Sequence, residues 1–299
     1  MIVWQAHKSR IRHMAFAPDG AELATTAGSS KFVSLWRAAT GEAAGRLVGH
    51  TTYARAVAYS LDGRFVAATQ NTAAARVWDR STGAVVAVLK TSGWCLDSVT
   101  FRPDSSAVAV PTDRGVGEWR CSDFNGGSRP LAPGARLGST SAFRRILFSP
   151  CGRYLAASEF RDFNLFDAAG QSGLICRLPD PQGKAGDATQ FSFAPDGNTL
   201  AVVYGLRIHL FALPRGKELA VLRGHPNYIH AVGFMPDGRE MVSAGADGIV
   251  RVWNPATGAE TRSFDWGIGK VCAAAVSPDG MLCAAGGENG KVVVWDVDA

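Results

Sequence analysis

The chain has 299 residues, 46% of them hydrophobic and 19% charged, and its 31 Lys and Arg against 26 Asp and Glu leave a formal net charge of +5. That is the moderate hydrophobic fraction of a soluble domain, and the small positive charge comes with no basic run and no nucleic-acid-binding motif. No apolar run approaches the ~20 residues of a membrane-spanning helix, and the length suits one large all-β domain.

The first residues, MIVWQAHKSR, have neither a basic start nor a cleavage site. No secretory leader is expected, and the chain reads as cytoplasmic. Ile2-Val3-Trp4 precede Ala6-His7 as Arg46-Leu47-Val48 precede Gly49-His50. They read as an outermost strand without the inner strands that should come before it.

A turn tripeptide then recurs down the chain. It stands at Pro18-Asp19-Gly20, Leu61-Asp62-Gly63, Pro103-Asp104-Ser105, Pro150-Cys151-Gly152, Pro195-Asp196-Gly197, Pro236-Asp237-Gly238 and Pro278-Asp279-Gly280, at intervals of 41 to 47 residues. An aromatic keeps the same period: Trp36, Trp78, Trp119, Phe166, Phe211, Trp253 and Trp295. Two independent markers in phase define seven copies of one unit.

The unit is clearest over 224–254. Gly224-His225 leads into an alternating apolar run at 229–234, the turn at Pro236, a second run at 241–244, a turn at Asp247-Gly248 and a third run at 249–253. Period-2 runs bounded by Gly, Asp and Pro predict short antiparallel strands joined by hairpins. Three strands cannot bury both faces alone, so each unit must belong to a larger array. Repeats of about 40–45 residues with a Gly-His start and a Trp-Asp end mark a propeller, one four-stranded blade per repeat.

Two stretches interrupt the pattern: 121–141, CSDFNGGSRPLAPGARLGSTS, and 180–187, DPQGKAGD. Both read as surface loops, the first in place of the usual outer-strand connection. Asn125-Gly126-Gly127 lacks the strand-loop-helix context of a phosphate cradle. At the other end, residues 292–295 form a third strand with no fourth to follow. The N-terminal strand is expected to complete that blade, closing the ring and removing an open edge. Residues 1–299 then read as one complete propeller domain and as a monomer. The six cysteines (95, 121, 151, 176, 272 and 283) form no Cys-x-x-Cys and no ligand spacing with His, so neither metal nor cofactor is expected. Cys272 and Cys283 fall on strand-like runs and read as small core residues.

These units resemble the WD-repeat (WD40) family over essentially the whole chain. The naming dipeptide appears as Trp78-Asp79 and Trp295-Asp296 and is degraded in the other units; Gly-His stands at Gly49-His50 and Gly224-His225. The resemblance implies an all-β, seven-bladed β-propeller. It also implies a buried hydrogen-bonded set, complete only in the sixth unit: His225, Ser243, Asp247 and Trp253. There the indole N–H meets the Ser hydroxyl, His bridges, and Asp holds the far ring nitrogen. Despite its likeness to a Ser-His-Asp triad, the set reads as structural. The first unit offers His7, Thr26 and Trp36, with Ser30 in the Asp position. Most blades are therefore expected to be held by packing alone.

Side chains at the start of each first strand should surround the central channel. Period 2 selects positions eight and six before each turn tripeptide: Arg10 and Arg12, Tyr53 and Arg55, Cys95 and Asp97, Ala142 and Arg144, Asp187 and Thr189, Tyr228 and His230, Lys270 and Cys272. The resemblance makes this rim the partner-binding face, together with Ser29, Asn71, Thr112, Glu159, Tyr204, Ala246 and Glu288. Neighbouring blades six, seven, one and two supply Tyr228, His230, Lys270, Arg10, Arg12, Tyr53 and Arg55, with Arg144 a further basic rim position. Arg and Tyr are enriched at binding hot spots. The expected function is a non-catalytic scaffold that grips an acidic peptide or a negatively charged protein patch. A nucleic-acid-binding propeller is the alternative, since the arc could touch phosphates and stack bases. A propeller hydrolase ranks lower, because scattered acids and one rim His supply no converging set.

Overall fold

In the sixth repeat the predicted runs form strands Ile229–Phe234, Met241–Gly245 and Ile249–Trp253, and Glu260–Asp265 adds a fourth. All three pairings are antiparallel. The computed structural model describes residues 1–72, 74–91, 97–113, 115–124, 135–137, 143–158, 163–168, 173–178 and 188–297. Within them lie seven four-stranded sheets, a seven-bladed all-β propeller, with a single 3-10 turn at Cys121–Asp123.

The turn tripeptide owes its recurrence to local chemistry. Its Asp accepts a backbone N–H two residues on, as from Asp19 to Ala21 at 3.0 Å and from Asp237 to Arg239 at 2.9 Å. The third position takes a left-handed conformation, with φ of 69° at Gly20 and 71° at Gly238, which glycine adopts without a Cβ penalty. In the third repeat Ser105 adopts the same conformation, φ 58°.

The core lies between blades. The second strands are buried along their whole length, as in Phe65–Gln70 and Ala107–Thr112, so alternation in exposure survives mainly on the outer strands. Each sheet has two apolar faces and each face meets a neighbour. Leu35, Leu47, Val57 and Trp78 join blades one and two, while Val110 and Trp119 of blade three meet Phe65 and Val77 of blade two. The same arrangement joins blades seven and one, where Val292 and Val294 pack with Ile11, Phe16 and Leu23. Here blades approach so closely that a Cβ on Gly286 would lie 2.7 Å from Ile11.

The N-terminal strand Ile2–Gln5 pairs with Lys291–Asp296, Ile2 opposite Val294 and Gln5 opposite Lys291. It therefore supplies the fourth strand of blade seven and closes the ring. The reading of 121–141 needs correction. Ala135–Leu137 pairs with Gly115–Arg120 as the fourth strand of blade three, Leu137 opposite Val116. The outer strand is thus drawn from inside the Gly- and Pro-rich stretch; the rest of 121–141 beyond Phe124, and all of 180–187, lie outside the described residues.

In blade six, Trp253 Nε1 donates to Ser243 Oγ at 2.8 Å. Ser243 Oγ lies 2.7 Å from His225 Nε2, and His225 Nδ1 lies 3.0 Å from Asp247 Oδ2. Arg251 Nη1 donates to the same carboxylate oxygen at 2.5 Å. A run of hydrogens from Trp through Ser and His to Asp places the proton on Nδ1, although Arg251 Nη1, a donor, also lies 2.8 Å from that nitrogen. Blade one repeats the chain with different residues: Trp36 Nε1 donates to Thr25 Oγ1 at 2.8 Å, Thr25 meets His7 Nε2 at 2.9 Å, and Ser30 Oγ lies 3.2 Å from His7 Nδ1. The hydroxyl belongs to Thr25 and not to Thr26, which instead donates to the Arg55 carbonyl of blade two at 2.5 Å. Counting ten residues back from the Trp misplaces it, because the hairpin at 28–32 is longer than that at 246–248. Blade one is therefore not held by packing alone.

Blade two has Ala68 in the position of Ser243. His50 Nδ1 meets Gln70 Oε1 at 3.1 Å, and Trp78 Nε1 turns to the Val48 carbonyl at 2.8 Å. His50 Nε2 is left buried without a hydrogen-bond partner. A buried polar group without a partner costs about 1–3 kcal/mol, against about 1 kcal/mol gained by a typical bond. Ser243→Ala orphans both Trp253 Nε1 and His225 Nε2 and should lower stability by at least about 2 kcal/mol in urea unfolding. Ala68→Ser should do the reverse, raising stability by about 1 kcal/mol as the new hydroxyl reaches His50; an unchanged or lowered midpoint would refute the assignment.

Candidate partner-binding rim and axial channel

The first strands do not keep strict alternation. In blades one, two, five, six and seven the register slips near the strand start, between Ile11 and His13, Ala54 and Val57, Ala188 and Gln190, Ile229 and Ala231, and Val271 and Ala273. In blade four, Arg144 N donates to Ser158 O at 2.9 Å while Arg145 also stands opposite Ser158. Each is a β-bulge, an extra residue that re-aims the side chains beside it. The bulged residue coincides with the sixth position before the turn: Arg12, Arg55, Arg144, His230 and Cys272, with Thr189 a backbone position only.

Because two consecutive residues face inward at a bulge, the following position reaches the axis too. Strict period 2 therefore missed His13, Arg145 and Gln190. These join Arg10, Arg12, Arg55, Asp97, Arg144, Tyr228, His230 and Cys272 around an upper chamber of about 410 Å³. A lower chamber of about 550 Å³ continues to the turn residues Pro18, Leu61, Pro103, Pro150 and Pro278. First strands of all seven blades contribute to its wall, so the two chambers form the axial channel.

The predicted rim residues divide by position. Arg10, Arg12, Arg55, Arg144, Tyr228 and His230 line the upper chamber; Tyr53 and Lys270 do not. Tyr53 is 45% exposed and Tyr228 62% exposed. Lys270 sits on the surface with its ammonium 3.4 Å from Glu288. Arg55 is held within the molecule: Nη1 donates to Asp97 at 2.9 Å, while Nε and Nη2 reach Asn71 Oδ1 at 3.2 and 2.6 Å. It braces blade two against blade three. Arg10 is exposed, and its guanidinium forms no hydrogen bond or ion pair among the described residues.

The second predicted set is mixed. Ser29 bonds to Ser9, and Asn71 and Glu288 hold Arg55 and Lys270. Tyr204 is not at the rim: it is buried in the interface of blades four and five, its hydroxyl 3.2 Å from the Leu178 carbonyl. Thr112 is buried across its own hairpin, bonded to Gly115. Cys283 is a core residue, whereas Cys272 stands half-buried on the channel wall. Cys95, Ala142, Glu159 and Asp187 lie outside the described residues.

Five guanidinium groups and one carboxylate, Asp97, line the upper chamber among the described residues, and the carboxylate is engaged by Arg55. The histidines register this field. Burial, then the nearby Arg145, lowers His13 to about 4. Burial, then Arg10 and Lys270, also lowers His230. The His13 ring keeps some surface toward the lumen, but the packed wall around it still desolvates it. Among the described residues no group of three or more His, Cys, Asp or Glu is placed to hold a metal ion, and no helix is long and apolar enough to cross a membrane.

A ring of seven blades that converges its first strands on one mouth defines the repeat propellers. Three segments, 1–37, 216–254 and 261–296, match the family model described as WD domain, G-beta repeat. The chain is 38% identical to the small ribosomal subunit protein RACK1 of Caenorhabditis elegans over 76 residues, 25% of this chain and 23% of that protein. It is 23% identical to the serine-threonine kinase receptor-associated protein of Gallus gallus over 257 residues, 86% of this chain and 70% of that protein. An uncharacterized WD repeat-containing protein of Synechocystis, sll1491, is 29% identical over 161 residues, 52% of this chain and 45% of that protein. The match thus spans less than half the length of two of these three relatives. With seven phased repeats folded as seven blades, the chain is a seven-bladed β-propeller that carries WD repeats at 1–37, 216–254 and 261–296.

The His13 environment sets a pH dependence. Its folded value of about 4 lies below the ordinary 6.5, so on acidification the unfolded chain takes up the proton first. Stability is intact above about pH 6.5 and falls as pH drops toward 4. His13→Gln, which retains an acceptor for the Val57 N–H, should reduce the loss between pH 7.5 and pH 5 by about 2 kcal/mol in urea unfolding. Equal losses in the variant and the parent would refute the assignment.

Proposed function

We propose that this propeller is a non-catalytic platform that docks a protein or peptide partner on the rim where the first strands begin. Exposed Tyr53 and Tyr228, exposed Arg10, and Lys270 form an arc over neighbouring blades six, seven, one and two. The observation that carries the reading is that Tyr228 and Arg10 both line the chamber mouth: a large exposed aromatic, and a cation that no described group neutralises. Such residues supply contact area at small ordering cost and charge-assisted hydrogen bonds to carboxylates. The partner segment is therefore acidic. Two relatives are named for association, one with a ribosomal subunit and one with a receptor, which accords with a scaffold role. The rigid blades would hold the arc in place, so docking requires no reordering of the platform.

Arg55 is excluded from the docking set because it braces blades two and three. The test is capture from the native cell extract by the parent chain and by an Arg10→Glu, Tyr228→Ala double variant, with folding checked by thermal melting. Loss of specific partners from the variant alone, with the melting curve unchanged, is the expected result; an identical bound set would refute the arc. If the bound species is nucleic acid that dissociates steeply with added salt, the protein-partner reading fails.

A further inference from the structure

The two chambers meet at a waist where Arg12, His13, Arg145, Gln190, His230 and Cys272 line both. At this waist Arg145 forms no hydrogen bond or ion pair among the described residues. Burial works most against its charge; the nearby Asp97 partly offsets this, and Arg144 adds a smaller repulsion. The Arg145 guanidinium thus lines a chamber with Arg12 and Arg144, and the one described carboxylate there, Asp97, is already engaged by Arg55 at 2.9 Å. Partly desolvating a cation that has no hydrogen bond or ion pair costs free energy that a bound anion would offset.

Below the waist the wall changes character. Met14, Phe16, Phe101, Phe148, Phe191 and Val232 line the lower chamber. Past the waist residues, the one charged side chain among the described lining is Arg102, which is paired with Glu118. A basic, polar-lipped chamber thus opens onto an apolar one, each within the size range of small-molecule sites. We propose that the channel binds a small phosphorylated compound, its phosphoryl group at the Arg12–Arg145 waist and its apolar part in the lower chamber. A dianionic group with several acceptor oxygens suits two guanidinium forks lining one waist better than a single carboxylate does. The site lies beneath the rim and does not depend on the docking role proposed for Tyr228 and Arg10.

Calorimetric titration with hexyl phosphate, hexanoate and inorganic phosphate tests the assignment on the full chain. Hexyl phosphate should bind saturably and about tenfold more tightly than either of the other two. Arg145→Gln should weaken it by at least about tenfold without lowering the melting temperature of the free protein, since the substitution removes a cation that has no described partner. In the parent chain, the His13 ring proton signals should move on addition of hexyl phosphate, a readout that needs no variant. Absence of saturable binding up to about 10 mM, a Kd unchanged in Arg145→Gln, or silent His13 signals would overturn the site. Hexanoate binding as tightly as hexyl phosphate would overturn the phosphoryl assignment. The Arg10→Glu, Tyr228→Ala variant tests the rim reading separately, because it leaves Arg145 in place.

Discussion

Each blade is a four-stranded sheet with two apolar faces, and neither face can be left in water. Such a sheet is stable only between two neighbours, and a row of sheets is satisfied at both ends only when it closes. Ring closure is therefore the constraint on which the rest depends. It explains why the second strands are rich in small residues: Ala67 and Ala68, Ala156 and Ala157, and Ala284 and Ala285 are fully buried, where inner strands of adjacent blades crowd toward the axis. It also explains Gly286, whose missing Cβ makes room for Ile11 across the joint between the last and first blades. The strand Ile2–Gln5 adds hydrogen bonds to the same closure, so that the joint is secured by both packing and pairing.

Within that frame the polar chain from Trp to Asp is an addition rather than a requirement. Blade six has it complete, blade one runs it through two hydroxyls, and blade two breaks it at Ala68 and leaves a buried ring nitrogen without a partner. Apolar burial between blades is large enough to tolerate that deficit. The degraded repeat signatures along the chain are the visible result, since the packing surfaces recur even where the hydrogen-bonded residues do not.

The bulges turn this frame into a site. By placing an extra residue near the start of a first strand, they direct consecutive side chains toward the axis, and several of those side chains are basic. The outcome is two tiers. An exposed arc at the mouth carries Tyr228 and Arg10, while a deeper waist carries Arg12, His13 and Arg145. Charge at the mouth is better relieved by water than charge at the waist, where burial and then Arg145 lower the His13 value. The first tier is the one proposed for a macromolecular partner and the second the one proposed for a small anion.

The sequence by itself determined the number of blades, the strand runs Ile229–Phe234 and Ile249–Trp253, the turns and the closing strand. These follow from local chemistry: an Asp accepting from two residues ahead, a left-handed third residue, and alternation over five or six positions. It also placed most of the rim at the correct strand ends. What lay beyond it depended on partners far along the chain. The hydroxyl of blade one belongs to Thr25 because a longer hairpin shifts the count, and the outer strand of blade three is taken from a stretch with loop composition. Arg55 is a brace because Asp97, on the next blade, closes on it at 2.9 Å. His13 and Arg145 reach the axis because pairing with the second strand forces a bulge. Alternation is a property of one strand and can be read along it, but bulges and ion pairs between blades exist only once the strands are side by side.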